Sequence, residues 1–248
     1  MSKSIHIYGF HSIEAQLRSN PECIINVFVQ TGRSDSRMSE MTSFLNTQKI
    51  SFSKVDKNKL DRLTKGEPHQ GIVAEVILPP LPGHEALIGF ITKLSSIPLI
   101  LMLDSIQDPR NLGACLRCAN AAAVDCVVVN KDGSAPINAV VHKTSAGAVN
   151  KLKIFQVTNL VRSIKSLQAQ ELWVIGLDGD VTTSIYDINF TDPTVIVLGS
   201  EGTGLRLLIK KTCDQLATIP ILGNVESLNV SVATGIALFE GRRQRQSS

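Results

Sequence analysis

Aromatic residues make up only 4% of this 248-residue chain, too few to suggest a platform that stacks several nucleic-acid bases. No apolar run approaches the roughly 20 residues of a membrane span, and Met1 to His11 lacks the basic-then-apolar pattern of a secretory signal. The expectation is a cytoplasmic protein without a membrane partner. Five cysteines, an odd number scattered through apolar segments, suit a reducing compartment and argue against a disulfide framework. Cys115 and Cys118 have C-x-x-C spacing, but no second pair follows, so the expected role is that of buried small hydrophobes. The histidines show no metal-ligand spacing, and no metal is expected. Nothing matches the phosphate loop ending in Gly-Lys-Ser/Thr. The glycines of Gly199 to Gly204 stand in the wrong order for G-x-G-x-x-G, which disfavours an ordinary dehydrogenase or ATPase.

What is present is a core. A hydrophobic content of 43% at this length rules out a disordered chain and allows one large domain or two smaller ones. The formal charge of +3 permits a nucleic-acid partner without announcing one. Basic residues cluster at Lys54, Lys57, Lys59, Arg62 and Lys65, and again at Arg242, Arg243 and Arg245. Each cluster reads first as solvated surface, a helix face and a polar tail, with RNA contact as the alternative.

Two compositional regimes meet near residue 80. Residues 1–78 alternate short apolar runs (IINVFVQ, ISFSKV, GIVAEVIL) with helical pieces starting near Phe10, Ser34 and Asp56, which predicts a small α/β domain. Residues 79–96 begin with PPLPGHE and read as a linker. Residues 97–248 carry the strand candidates LILML, CVVV, KIFQV, LWVIGL, TVIVLG and LATIPI between helical stretches. That pattern predicts an α/β domain with a mainly parallel sheet covered on both faces.

Three bends in the second domain each join a strand-like run to a polar, glycine-bearing turn and a helical segment, where α/β folds place ligand chemistry. In DPRNLGACLRCANAAAV, the apolar stripe Leu112, Cys115, Leu116 and Ala119 buries one helix face and leaves Arg117 outside it, where its guanidinium is expected to project into the cleft beyond the sheet. Asn111 suits helix capping. In VIVLGSEGTGL, Gly199, Gly202 and Gly204 allow positive φ and close ligand approach around Glu201. In IPILGNVESLNVSVATGIALFE, a strand is expected to end at Pro220 to Leu222, and Ser227 and Asn229 stand ready to cap the following helix.

Together these segments resemble the three motifs of the SpoU family of RNA 2′-O-ribose methyltransferases, in the SPOUT superfamily. The resemblance extends through IYGFHSIEAQL and GEPHQGIVAEV in the first domain, and is greatest to the bacterial members acting on guanosine in 23S ribosomal RNA. It implies a trefoil-knot methyltransferase domain preceded by a small RNA-binding domain similar to a ribosomal protein, and S-adenosylmethionine as cofactor. It implies a homodimer with 23S ribosomal RNA as substrate. Arg117, Asn111, Glu201, Ser227 and Asn229 are the implied catalytic set. Leu198, Gly199, Ile219, Ile221, Gly223 and Leu228 are the implied cofactor contacts, while Glu226 has no assigned role. Other readings are a methyltransferase for transfer RNA or another ribosomal site, and a non-catalytic RNA-binding assembly factor.

The chemistry suits those residue types. A ribose 2′-hydroxyl is barely ionised at neutral pH, so methyl transfer to it depends on alignment and on stabilising charge that develops on the oxygen. A guanidinium with a pKa above ~12 fits stabilisation better than proton abstraction.

Overall fold

Short apolar stretches near the N-terminus form strands β1 (Ile5–Tyr8), β2 (Ile24–Gln30), β3 (Phe52–Val55) and β4 (Ile72–Val76). The sheet order is β1-β4-β2-β3, with β4 antiparallel to β1 and β2, and β2 parallel to β3. Helices α1 (Phe10–Ser19), α2 (Ser36–Thr47) and α3 (Lys57–Thr64) accompany it. Carboxylates of Asp35 and Asp56 accept from the amides of Met38 and Lys59 at 3.2 and 2.7 Å. They satisfy helix-start donors and fix where α2 and α3 begin. Ile7, Ile13, Leu45 and Ile72 are fully buried in this core. Lys54, Lys57, Lys59, Arg62 and Lys65 are all exposed, as both the solvated reading and RNA contact require.

This computed structural model describes residues 4–246. The chain divides into two units, one made of the residues through Pro80 with 137–151, the other of 81–136 with the residues from Leu152 on. Helix α6 (Ala139–Thr144) therefore belongs to the first unit, although it lies in sequence within the span read as the second domain.

The second unit contains α4 (His84–Ile91), β5 (Leu99–Asp104), α5 (Pro109–Ala121), β6 (Cys126–Asn130), β7 (Ile154–Val157) and α7 (Leu160–Gln168). It continues with β8 (Trp173–Leu177), β9 (Thr194–Gly199), α8 (Leu207–Thr212), β10 (Gln215–Ala217) and α9 (Val230–Gln246). Its six strands are all parallel, in the order β10-β8-β9-β5-β6-β7. Every residue of β5 and β6 is buried, which explains their unbroken apolar sequences, since a parallel sheet covered on both faces leaves no strand face for water. From β5 the chain builds outward in both directions, so the order reverses between β5 and β9. That is where α/β sheets open a crevice beyond the carboxyl strand ends. Asp104 and Gly199 end the two strands opposite one another.

Three expectations are corrected. The span read as linker contains α4, whose Leu87 and Ile91 are buried in the second unit's core; the prolines before it hid a two-turn helix with apolar residues four apart. The LATIPI segment is strand only through Ala217, and 219–229 is an open loop, because the edge partner β8 ends at Leu177. The C-terminal arginines are not a polar tail. Arg242 donates to the carbonyls of Ala122 and Ala123, and Arg243 bonds Glu240 at 2.8 Å.

Arg245 is the most engaged of these. Its guanidinium donates to the carbonyls of Phe190, Ile97, Pro98 and Asp192 at 2.7, 2.8, 2.9 and 2.7 Å, pinning α9 to the amino end of the sheet. Arg245→Ala should lower unfolding free energy by about 2–4 kcal/mol, because charge-assisted bonds are lost and partly buried carbonyls are orphaned together. Denaturant titration checks this, and an unchanged midpoint would contradict the clamp.

Candidate functional site

The first bend is set by Asp108 and Pro109. Asp108 caps α5 by accepting from the Arg110 amide at 2.8 Å, and Pro109 opens the helix. Asn111 is thereby relieved of the capping role and keeps its side chain for another partner.

The second bend is a tight turn after β9. Gly204 N–H donates to the Ser200 carbonyl at 2.9 Å, and Gly202 and Gly204 take φ of +79° and +62°. A Cβ on Gly199 would stand 2.1 Å from the Gly204 carbonyl carbon, so the strand end and the far side of the turn are in direct backbone contact. The turn projects Glu201.

The third bend starts α9. Asn229 Oδ1 accepts from the Ser231 amide at 2.9 Å, the capping geometry expected of it, while its carbonyl accepts from Ala233 at 3.0 Å. With Oδ1 so used, Nδ2 turns the other way. It donates to Asn111 Oδ1 at 3.1 Å and to Glu201 Oε1. One amide thus ties together all three motifs at the carboxyl end of the sheet.

Beside this junction lies a cleft of about 420 Å³ whose wall includes Leu198, Gly199, Glu201, Ile219, Ile221, Ser227 and Leu228. Gly223 and Arg117 are not part of that wall. Arg117 is exposed on α5 and has no hydrogen-bond or ion-pair partner among the described residues. From Ile219 to Leu228 no backbone N–H or C=O bonds another protein group among the described residues, so this wall offers free main-chain donors and acceptors.

Sequence reasoning missed part of the wall. Lys210 Nζ lies 2.6 Å from Asp178 and 3.7 Å from Asp180, and all three line the cleft with Glu226. Hydrogen bonding to Asp178 raises the lysine's pKa and keeps it charged. The available signal was Asp178 directly after a buried parallel strand, the position from which such folds present polar groups.

Cys115 is buried and its thiol is pushed up to about 12 by desolvation, with Thr234 Oγ1 at 3.3 Å from its sulfur. Cys118 is shifted in the same direction for the same cause. Both sit where α5 meets α9, and burial disfavours the thiolate form of each. Among the described residues no group of three or more His, Cys, Asp or Glu side chains is placed to hold a metal ion, and no helix is long and apolar enough to cross a membrane.

Known proteins share both units. Residues 98–239 match the SpoU rRNA Methylase family, and residues 6–82 match the domain described as RNA 2′-O ribose methyltransferase substrate binding. The 23S rRNA (guanosine-2′-O-)-methyltransferase RlmB of Haemophilus ducreyi is 44% identical, covering 98% of this chain and 99% of the relative. The enzyme of the same name from Pseudomonas aeruginosa is 42% identical over 99% and 98%. Among solved structures, the SpoU methyltransferase AviRb from Streptomyces viridochromogenes, in complex with the cofactor AdoMet, superposes with a TM-score of 0.80. It is 20% identical and covers 99% of this chain and 92% of its own. A TrmH-family RNA methyltransferase from Porphyromonas gingivalis gives 0.75 at 26% identity, covering 99% and 90%. With both units matched and the three motif bends meeting at one strand-end junction, the chain belongs to the SpoU rRNA methylase family.

Proposed function

We propose that this protein transfers a methyl group from S-adenosylmethionine to the ribose 2′-hydroxyl of a guanosine in 23S ribosomal RNA, in the cytoplasm and as a homodimer. The observation that carries the reading is the Asn229 amide joining Asn111 and Glu201 beside an open cleft. The relatives of similar length and 42–44% identity favour the guanosine of 23S ribosomal RNA as acceptor.

The cleft suits this cofactor. Leu198, Ile219, Ile221 and Leu228 offer apolar surface to a purine and its sugar, and the free main chain from Ile219 to Leu228 offers partners to the ring edge. Asp178, Asp180, Glu201 and Glu226 outnumber Lys210, the one cation of the wall among the described residues, which favours a ligand carrying positive charge. When bound, S-adenosylmethionine supplies a methyl group on positively charged sulfur, already an activated electrophile.

The chain's own groups do the rest. Asn229 holds both Asn111 and Glu201, and the three present a fixed polar face to the acceptor sugar. Ser227, exposed in the wall, adds a hydroxyl that bonds no protein group among the described residues. Arg117 has no internal anion to offset its charge, so the guanidinium is available to the 2′-oxygen as negative charge builds there. The leaving proton passes to solvent, because a guanidinium does not accept it.

The dimer reading rests on apolar side chains left in water on three successive stretches: Leu207 and Leu208 on α8, Leu222 and Val225 in the open loop, Val232 and Phe239 on α9. Leu222 is 99% exposed, an unusual position for leucine in a solitary chain. Light scattering at micromolar concentration should give the mass of two chains, and a monomer would refute this part. For the activity, titration calorimetry should give a saturable S-adenosylmethionine isotherm, followed by transfer of labelled methyl to 23S transcript. Binding without transfer to any ribosomal or transfer RNA would leave a non-catalytic binder.

A further inference from the structure

The carboxyl end of β5 holds an ion pair that the function above does not use. Asp104 is completely buried, and a carboxylate in that setting must be paired and hydrogen-bonded. Its Oδ1 accepts from Arg206 Nε at 2.8 Å and lies 2.7 Å from Arg206 Nη2; its Oδ2 accepts from the Arg206 backbone amide at 3.1 Å. Ser105 Oγ donates to Oδ1 at 3.1 Å. The end of one central strand therefore grips Arg206, two residues past the Glu201 turn of the other.

Only one edge of the guanidinium is engaged. Nη1 has no partner among the described residues, and the side chain stays 56% exposed. As a stability device this is poor, because a well-packed apolar pair at such a site is commonly as stable or more so. As an anion binder it is well made: the planar fork is locked in one orientation beforehand, so little side-chain freedom is lost when a ligand meets the outer edge. Arg206 is not in the wall of the cofactor cleft, so its outer edge is not placed to meet the cofactor's carboxylate. Arg110 and Arg117, exposed and unpaired among the described residues, lie seven positions apart on one face of α5, the helix that leaves the same strand end. Arg206 beside the strand end and Arg110 in the first turn of the helix that leaves it suit a polyanionic chain rather than a single small anion.

We propose that Arg206 binds a backbone phosphate of the RNA next to the ribose being methylated, with Asp104 as the positioning residue that fixes the guanidinium. The assignment rests on the methyltransferase reading and adds a phosphate site to it. The site orients the substrate chain by its backbone and leaves base identity to other contacts.

The test uses the full-length protein and a synthetic RNA hairpin centred on the nucleotide that the wild-type protein methylates. Replacing one flanking phosphate at a time with a neutral methylphosphonate should cost wild type about tenfold in kcat/KM at one position, the size of a lost charge-assisted bond. In R206K the single ammonium stays with Asp104, so the unmodified hairpin should show a KM raised about tenfold, and the methylphosphonate penalty should vanish. Affinity for S-adenosylmethionine should be unchanged in R206K. No penalty at any flanking phosphate with wild type, or an undiminished penalty with R206K, would overturn the assignment, as would loss of cofactor affinity with KM for RNA intact. A wild-type protein that transfers no methyl group to ribosomal RNA would refute the underlying function instead.

Discussion

Arg117→Ala should slow single-turnover methyl transfer by about 10²–10³-fold, about 3–4 kcal/mol of transition-state stabilisation, while leaving affinity for S-adenosylmethionine unchanged. The separation follows from where the residue stands. Arg117 lies outside the wall of the cleft and bonds nothing among the described residues, so truncation opens no cavity and orphans no buried group. Stability should stay within about 0.5 kcal/mol of wild type. Arg117→Lys keeps a positive charge but loses the planar fork, and should recover only part of the rate. Rapid-quench measurement with labelled cofactor, beside calorimetric binding, reads both quantities. An Arg117→Ala protein that binds cofactor and methylates at the normal rate would remove this residue from the mechanism.

Gly199→Ala should be the most damaging small substitution in the second unit. The added Cβ would fall 2.1 Å from both the carbon and the oxygen of the Gly204 carbonyl and 2.3 Å from the Leu205 nitrogen. These are backbone atoms, which cannot swing aside as a side chain can. The turn must open, carrying Glu201 away from Asn229 and loosening Arg206 from Asp104. A cost of about 3 kcal/mol is expected, roughly 6–12 °C in Tm for a chain of this size, with loss of cofactor binding. Gly202→Ala is the internal control. It meets nothing within 4 Å and carries only the strain of φ +79°, so about 1 kcal/mol is expected. Equal effects of the two substitutions in a calorimetric scan would contradict the backbone-contact explanation.

Much of the site was legible because its residues sit at bends between strongly patterned elements. Strands β5, β6 and β9 announce themselves as unbroken apolar runs, and a polar residue directly after such a run at the carboxyl end of a parallel sheet is a candidate by position alone. Asn229 was legible as a helix cap and it caps α9, and its amide also bonds Asn111 and Glu201. Less legible were features without a local pattern. Helix α4 followed a proline cluster, and the apparent strand after Ala217 had β-favouring residues but no partner to extend it. The arginines near the C-terminus read as a solvated tail because sequence does not reveal which carbonyls a helix end will meet.

By itself the sequence determined the parallel sheet, the three loops at its carboxyl end and the family to which the chain belongs. Burial on both faces, turn-forming glycines and helix caps are local properties that residue type encodes over a few positions. The tertiary structure alone decided which of those groups meet. Asn111 and Asn229 are 118 positions apart, Asp104 and Arg206 are 102, and Arg245 clamps carbonyls as far away as Ile97. Such pairings depend on strand order and on register, which bring the ends of β5 and β9 side by side. No periodicity in the chain records that arrangement, because the contacts that set it are made only when the whole sheet has assembled.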